Sequence, residues 1–555
     1  MNHTRTGRRA FAAVAGIAVG AMALAGCVAS DRGGDAKPTA GDVDSTFIFA
    51  ASADPSGLDP AFASDGETFR VARQIFEGLV GTVAGTADPA PLLAKSWEQS
   101  DDGLSYTFTL EEDVKFHDGT DFNAEAVCTN FDRWYNWTGI TQSESLSYYY
   151  GALFRGFADT PDKALYKSCT VADGKPTVTL TSPFAGFIAA LSLPAFSMQS
   201  PAALKEFDAD AWGGTDESPT MSEYAKGHPV GTGPFAFKAW EPGADVTLVA
   251  NKDYWGEQGQ VQEIIFRVIG DPTARRQALE AGSIDGYDLV APADTAALAT
   301  AGFNVMQRDP FTILYLGMNQ AVPELANHKV REAIAHAIDK ESLVSQVLPE
   351  GTKVATQFIP PVVTGYNEDV TTYDYDPALA KQLLAEAGYP DGFTLMFNYP
   401  TNVSRPYMPN PEQIFTALAS QLEAVGIKVE PAGNEWNPAY LDRIQGGSDH
   451  GVHLLGWTGD YNDTDNFVGV FFGAPSNEWG FDNPELFAAL KQARGIANID
   501  EQTSLYKSIN EQIAEFIPGI PLAHPAPSLA FDSRVTSYPA SPVNDEVFNM
   551  ITLSK

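Results

Sequence analysis

Val452-His453-Leu454-Leu455-Gly456-Trp457-Thr458-Gly459-Asp460-Tyr461-Asn462-Asp463-Thr464-Asp465-Asn466-Phe467 is an apolar run that passes, without a linker, into a loop bearing three carboxylates. Such a pattern predicts a buried strand over Val452 to Trp457 that delivers Asp460, Asp463 and Asp465 to a ligand-holding loop. In open α/β sheets the ligand lies beyond the carboxyl ends of the strands, and an aspartate with an indole beside it suits an ammonium group. Phe393 to Pro400 reads as a second strand, and Arg405-Pro406-Tyr407 soon follows it, on the same carboxyl-end side. The expectation is that Arg405 and Asp460 grip the two ends of a small zwitterion. On these residues alone, a surface arginine and a turn aspartate that never meet remain the simpler account.

The chain has 555 residues, 44% of them hydrophobic, enough for a large core and several domains' worth of material. Asp and Glu number 71 against 35 Lys and Arg, a net charge of -36, which excludes phosphate backbones as partners and disfavours anionic lipid. Arg5, Arg8 and Arg9 precede a small-residue apolar stretch, Ala10 to Ala25, which reads as a targeting signal. It ends in Leu24-Ala25-Gly26-Cys27, which resembles the site at which bacterial lipoproteins are diacylated on Cys27 and cleaved before it; an ordinary signal with a chance cysteine is the alternative. Residues 28–45 hold almost nothing apolar and read as a flexible tether that leashes the folded body outside the membrane. Cys128 and Cys169 remain, and outside the cytoplasm the pair most simply forms a disulfide, two buried thiols being the alternative.

Along the chain, Thr46 to Ala51 predicts a strand and Phe69, Ala72, Ile75, Phe76 and Leu79 the buried face of a helix. Asp271-Pro272 opens another helix, as cap and first residue. Strand 393–399, a helix carrying Ile414, Leu418, Leu422 and Val425, and strand Ile427 to Val429 form a βαβ unit. His450 and His453 stand three apart in or before a predicted strand, which puts them on opposite faces and disfavours a shared metal. No Walker A loop, G-x-S-x-G or H-E-x-x-H motif occurs, and no cofactor is expected.

Pro91-Leu-Leu-Ala-Lys-Ser-Trp97, Asp102 to Leu110, and Val114 to Val127 together resemble the signature of the family 5 extracellular solute-binding proteins of ABC importers. Pro229 to Phe235, Asn251 to Gly256, Tyr315 to Asn319 and Val330 to Asp339 extend the likeness. The resemblance implies an α/β, two-lobed periplasmic-binding-protein-like fold of class II type, with the ligand in the cleft between lobes. Lobe I would span 46–314 with an extra subdomain at about 80–225, lobe II 315–519, and 520–555 would return to lobe I, the hinge lying near Tyr315 to Asn319 and Ile520 to Ala530.

Gly456 to Phe467 and Arg405 to Asn410 look most like the family's dipeptide-binding branch. That likeness implies that Asp460 accepts a peptide's α-ammonium and Arg405 pairs with its α-carboxylate, with Trp457, Tyr407, Thr458 and Gly459 around them and Ser56 and Gly57 as further contacts. The protein is then expected to be a monomeric, lipid-anchored receptor on the outer face of the cell membrane. It would hand dipeptides or short peptides to a permease and its ATPase. Nickel chelate, haem or a sugar is the alternative cargo. A hydrolase using two of the loop carboxylates is the alternative of a different class, and a purely structural lipoprotein is a third.

Overall fold

The computed structural model describes residues 44–216 and 218–554; the expected signal segment, Cys27 and all but the end of the expected tether lie outside the described residues. Two large sheets organise the chain. The first has seven strands, in the order Phe235–Glu241, Asp245–Ala250, Glu263–Val268, Thr46–Ala51, Gly286–Asp288, Ser528–Phe531 and Asn304–Gln307. The second has six, in the order Lys353–Val354, Gly519–His524, Thr312–Met318, Val452–Thr458, Thr394–Thr401 and Lys428–Glu435. Each sheet anchors one lobe of a two-lobed α/β molecule. The chain passes between them twice, through residues 308–311 and 525–527. These two crossings are tied together where the Arg308 N–H donates to the Pro527 carbonyl (2.9 Å) and the Thr312 hydroxyl to that of Pro525 (2.9 Å). The boundary expected between 314 and 315 falls inside strand Thr312–Met318, so sheet membership sets the crossing slightly earlier in the chain.

The unbroken apolar run in the second lobe has a simple cause. Side chains alternate between sheet faces, and here both faces are covered. Leu314, Leu316, Val452 and Leu454 enter one core, under helices that include His328–Ala337 and Pro411–Ala424. Ile313, Tyr315 and Leu455 enter another, which holds Phe467, Phe471 and Trp479. Strands Thr394–Thr401 and Lys428–Glu435 pair in parallel around helix Pro411–Ala424, the expected βαβ unit.

In the first lobe, Asp65 caps helix Gly66–Ile75 by accepting from the Thr68 N–H, and Phe69, Ala72 and Ile75 are buried. Asp271 likewise caps helix Pro272–Glu280, with Pro272 at its first turn. A separate four-stranded antiparallel sheet, Ala94–Gln99, Ser105–Leu110, Lys175–Leu180 and Tyr166–Ala172, carries helix Ala124–Tyr135 against it. Cys128 on that helix is bonded to Cys169 on the sheet, with Cα atoms 5.2 Å apart. Closing a loop of this length contributes about 4 kcal/mol in the chain-entropy account. Among the described residues no helix is long and apolar enough to cross a membrane.

Candidate functional site

Strand Val452–Thr458 lies between an antiparallel neighbour, Thr312–Met318, and a parallel one, Thr394–Thr401. At its end the chain turns against an aromatic floor. The Gly459 N–H donates to the Phe311 carbonyl (2.9 Å), and a Cβ at Gly459 would come within 2.3 Å of the Phe311 ring and 2.5 Å of that of Phe467. Only glycine fits this approach. The loop then closes on itself, because the Asp460 N–H donates to Asn466 Oδ1 (2.7 Å) while Asn466 Nδ2 donates to Asp460 Oδ2 (2.9 Å). Asp463 caps the next turn, accepting from the Asp465 N–H (2.7 Å).

The first lobe completes the site. Tyr149, on helix Tyr148–Phe154, donates its hydroxyl to Asp460 Oδ1 (2.7 Å). Tyr461 reaches the other way, into the aromatic core of the first lobe, and Asn462 Nδ2 donates to Asp88 Oδ1 (2.7 Å). Between these contacts lies a cavity of about 240 Å³, lined by Tyr148, Tyr149, Leu153, Trp457, Asp460 and Arg494 among others. Asp460 therefore presents a carboxylate with each oxygen already holding one donor. Each oxygen has a further lone pair, so the group can still accept from a cation in the cavity.

Burial dominates the electrostatics of the loop. It pushes the Asp460 carboxyl up to about 6, against the hydrogen bonds from Asn466 and Tyr149 and the more distant charge of Arg73. Burial, with the Asp465 charge added, pushes Asp463 up to about 7. Asp465 is also raised by burial, although Arg494, whose Nε lies 3.3 Å from Asp465 Oδ2, and Arg155 oppose the shift. Asp465 thus has a guanidinium beside it, whereas Asp460 and Asp463 have no cation within ion-pair distance among the described residues.

The other expected site residues occupy varied places. Trp457 lines the cavity, and its indole N–H is buried without a partner. Thr458 pairs with Thr312 as the last rung of the ladder. Tyr407 is buried in the core of the second lobe, under Gly456, where a Cβ would meet its ring at 2.4 Å. Arg405 hairpins against Met408 and lays its guanidinium over the Trp436 ring, 4.5 Å from the centroid. No ion pair joins it to a carboxylate among the described residues, and it does not line the cavity. The parallel register, Phe397 opposite Val452, nonetheless sets Arg405 as far beyond its pairing as Asp460 stands beyond its own. Ser56 serves the cap of helix Gly66–Ile75, its N–H donating to Thr68 Oγ1 (2.7 Å), and Gly57 packs on Met221. Neither lines the cavity.

The histidine reading needs correction. The rings of His450 and His453 lie 5.2 Å apart, because the strand begins only at Val452 and His450 does not follow its alternation. His450 Nε2 meets the Glu478 carbonyl and His453 Nε2 the Glu478 carboxylate (3.3 Å), and no group of three or more metal-binding side chains occurs among the described residues. Sequence reasoning missed Tyr149 and Arg494. The triplet Tyr148-Tyr149-Tyr150 was the available signal for the first, since three consecutive phenols exceed what one buried face can use.

The profile of the family described as bacterial extracellular solute-binding proteins, family 5 Middle, matches residues 88–479. The chain is 32% identical to the heme-binding protein A of Haemophilus influenzae, over 91% of each chain, and 30% identical to the dipeptide-binding protein of Escherichia coli, over 92% of this chain and 94% of that one. Its fold superposes on the periplasmic binding protein DppA of Helicobacter pylori in complex with the peptide STSA, with a TM-score of 0.74 and 28% identity over 92% of this chain and 98% of that one. The protein thus belongs to the family 5 extracellular solute-binding proteins, two-lobed proteins whose role is to bind a solute.

Proposed function

We propose that this protein captures dipeptides, or short oligopeptides, and delivers them to a membrane permease powered by a separate ATPase, while Cys27 carries the lipid that holds it at the outer face of the cell membrane. The observation that carries this reading is Asp460: an acceptor-only side chain with a raised pKa, held by Tyr149 and Asn466 and facing a cavity beside an unpartnered indole. A peptide's α-ammonium supplies the missing positive charge. Arg405, which follows the neighbouring parallel strand on the same carboxyl-end side, takes the α-carboxylate, since its planar fork matches that group. Fixed anchors make a ruler, because a terminus pushed past its partner is a desolvated, unpaired charge. Trp457 walls the site, while Tyr407, Thr458 and Gly459 hold the strand end in place; Ser56 and Gly57 support the first lobe at the cap of helix Gly66–Ile75. The role is binding without turnover.

Isothermal calorimetry with dipeptides on the wild type and Asp460→Ala tests the reading. We expect saturable binding that the substitution abolishes; unchanged affinity ends the ammonium assignment. Cys27→Ala is expected to release the protein from the membrane fraction. Haem is the second reading, favoured by the likeness to the heme-binding protein A over 91% of both chains. A haem titration followed by absorbance, with an excess of dipeptide as competitor, separates the two.

A further inference from the structure

Building on the peptide reading, we infer that the cavity beside Asp460 is the subsite for the side chain of a bound peptide's first residue, and that it selects a large uncharged side chain. The first step is where the backbone goes. With the ammonium on Asp460, the first residue's side chain branches from the very carbon that carries the nitrogen, so it starts at the cavity wall. The peptide's other end is drawn toward Arg405, which does not line the cavity. The backbone therefore leaves, and the side chain stays.

The second step is the chemistry of the walls. Tyr148, Leu153, Trp457 and Val470 give aromatic and aliphatic surface, and Val470 is 52% exposed, a valine left open to contact at the rim. The ionisable lining beyond Asp460 is Asp465 and Arg494, and these two already neutralise one another at 3.3 Å. Arg494 is held further by the Phe184 ring, 5.0 Å from its carbon, and by the Ala152 carbonyl (3.4 Å). A lysine or glutamate side chain entering here finds no free counter-charge and loses its water, so it is rejected. A glycine leaves the space to water. The cavity, about 240 Å³, exceeds the volume of roughly 30 Å³ that one water occupies in the liquid several times over, and the part walled by Leu153, Val470 and the ring faces of Tyr148 and Trp457 holds such water poorly. Expelling poorly held water with a leucine or phenylalanine side chain gains affinity.

The test is calorimetry on the full chain with Gly-Ala, Leu-Ala, Phe-Ala, Lys-Ala and Glu-Ala, and with the reversed set from Ala-Gly to Ala-Glu. Leu-Ala and Phe-Ala are expected to bind at least tenfold tighter than Gly-Ala, Lys-Ala or Glu-Ala. Ala152→Trp, on the exposed edge of the lining, fills the space and should remove the Leu and Phe advantage while keeping Gly-Ala binding, which also reports that the variant is folded. Arg494→Gln frees Asp465 and should improve Lys-Ala relative to Leu-Ala at least tenfold, with no such change in the reversed set. Equal affinity for all five first residues overturns the subsite and leaves the peptide reading standing. Absence of binding by every dipeptide overturns both.

Discussion

Two clusters of buried charge in this molecule differ in one respect, and the difference separates scaffold from site. At the first interlobe crossing, Arg308 donates to Glu546 (Nε to Oε1, 2.6 Å) and reaches Asp288, which also pairs with Arg70. Every member has an opposite charge at hand: Asp288 is held below the usual carboxylate range by Arg70 and Arg308 against the opposing effect of burial, while Arg70 and Arg308 are held above theirs by the same contacts. In the loop after strand Val452–Thr458, where Asp463 and Asp465 are buried and Asp460 is half-buried, the shifts run the other way, all three being raised. A closed set of pairs ties the C-terminal segment to the first crossing between the two sheets. In the loop only Asp465 has such a partner, Arg494, and Asp460, which faces the cavity without one, is suited to receive a cation.

Breaking the closed set should have the largest effect. Arg308→Met leaves Glu546 buried without its partner, and removing one member of a buried pair costs about 3–5 kcal/mol; urea unfolding should report this loss, and a change below 1 kcal/mol would erase the distinction drawn here. Asp460→Asn reverses the pattern. Stability at pH 7 should hold or rise, because a carboxylate that burial disfavours is gone, while dipeptide affinity falls by about 1.5–3 kcal/mol, the worth of a hydrogen bond to a charged group.

The pH dependence sharpens the contrast further. With its carboxyl near 6, Asp460 loses the anionic form that holds an ammonium as the pH falls through that value, so dipeptide affinity should drop about tenfold between pH 7 and pH 5. In Asp460→Asn the profile should be flat over this range. The smallest effect belongs to Tyr149→Phe, which removes one donor from the Asp460 anion. The midpoint of the pH profile should move upward, and thermal stability should fall by about 1 kcal/mol, the net worth of one such bond.

How much of this was legible along the chain follows from what each feature depends on. The βαβ unit, the Asp65 and Asp271 caps and the buried strand before Asp460 are local patterns, set by periodicity and by donors a few residues away. Once Cys27 is set aside for the lipid, Cys128 and Cys169 are the two cysteines left, and the structure bonds them rather than leaving two buried thiols. His450 misled because alternation was applied one element too early. The tyrosine triplet marked Tyr149 as unusual, but its pairing with Asp460 was not legible, because 311 residues separate the two and no spacing rule spans that distance.

The amino-acid sequence by itself therefore determined which segments are strands and helices, that three carboxylates follow an apolar strand, and to which family the chain belongs. Tertiary structure alone decided what those carboxylates touch: a phenol from the other lobe for Asp460, a guanidinium from the end of helix Pro484–Arg494 for Asp465, and the Trp436 ring, in place of a carboxylate, for Arg405. The physical reason is that local structure is set by backbone hydrogen bonds and hydrophobic period, which are written in neighbouring residues. The charge state of a buried group depends instead on desolvation and on partners that only the folded chain brings within reach.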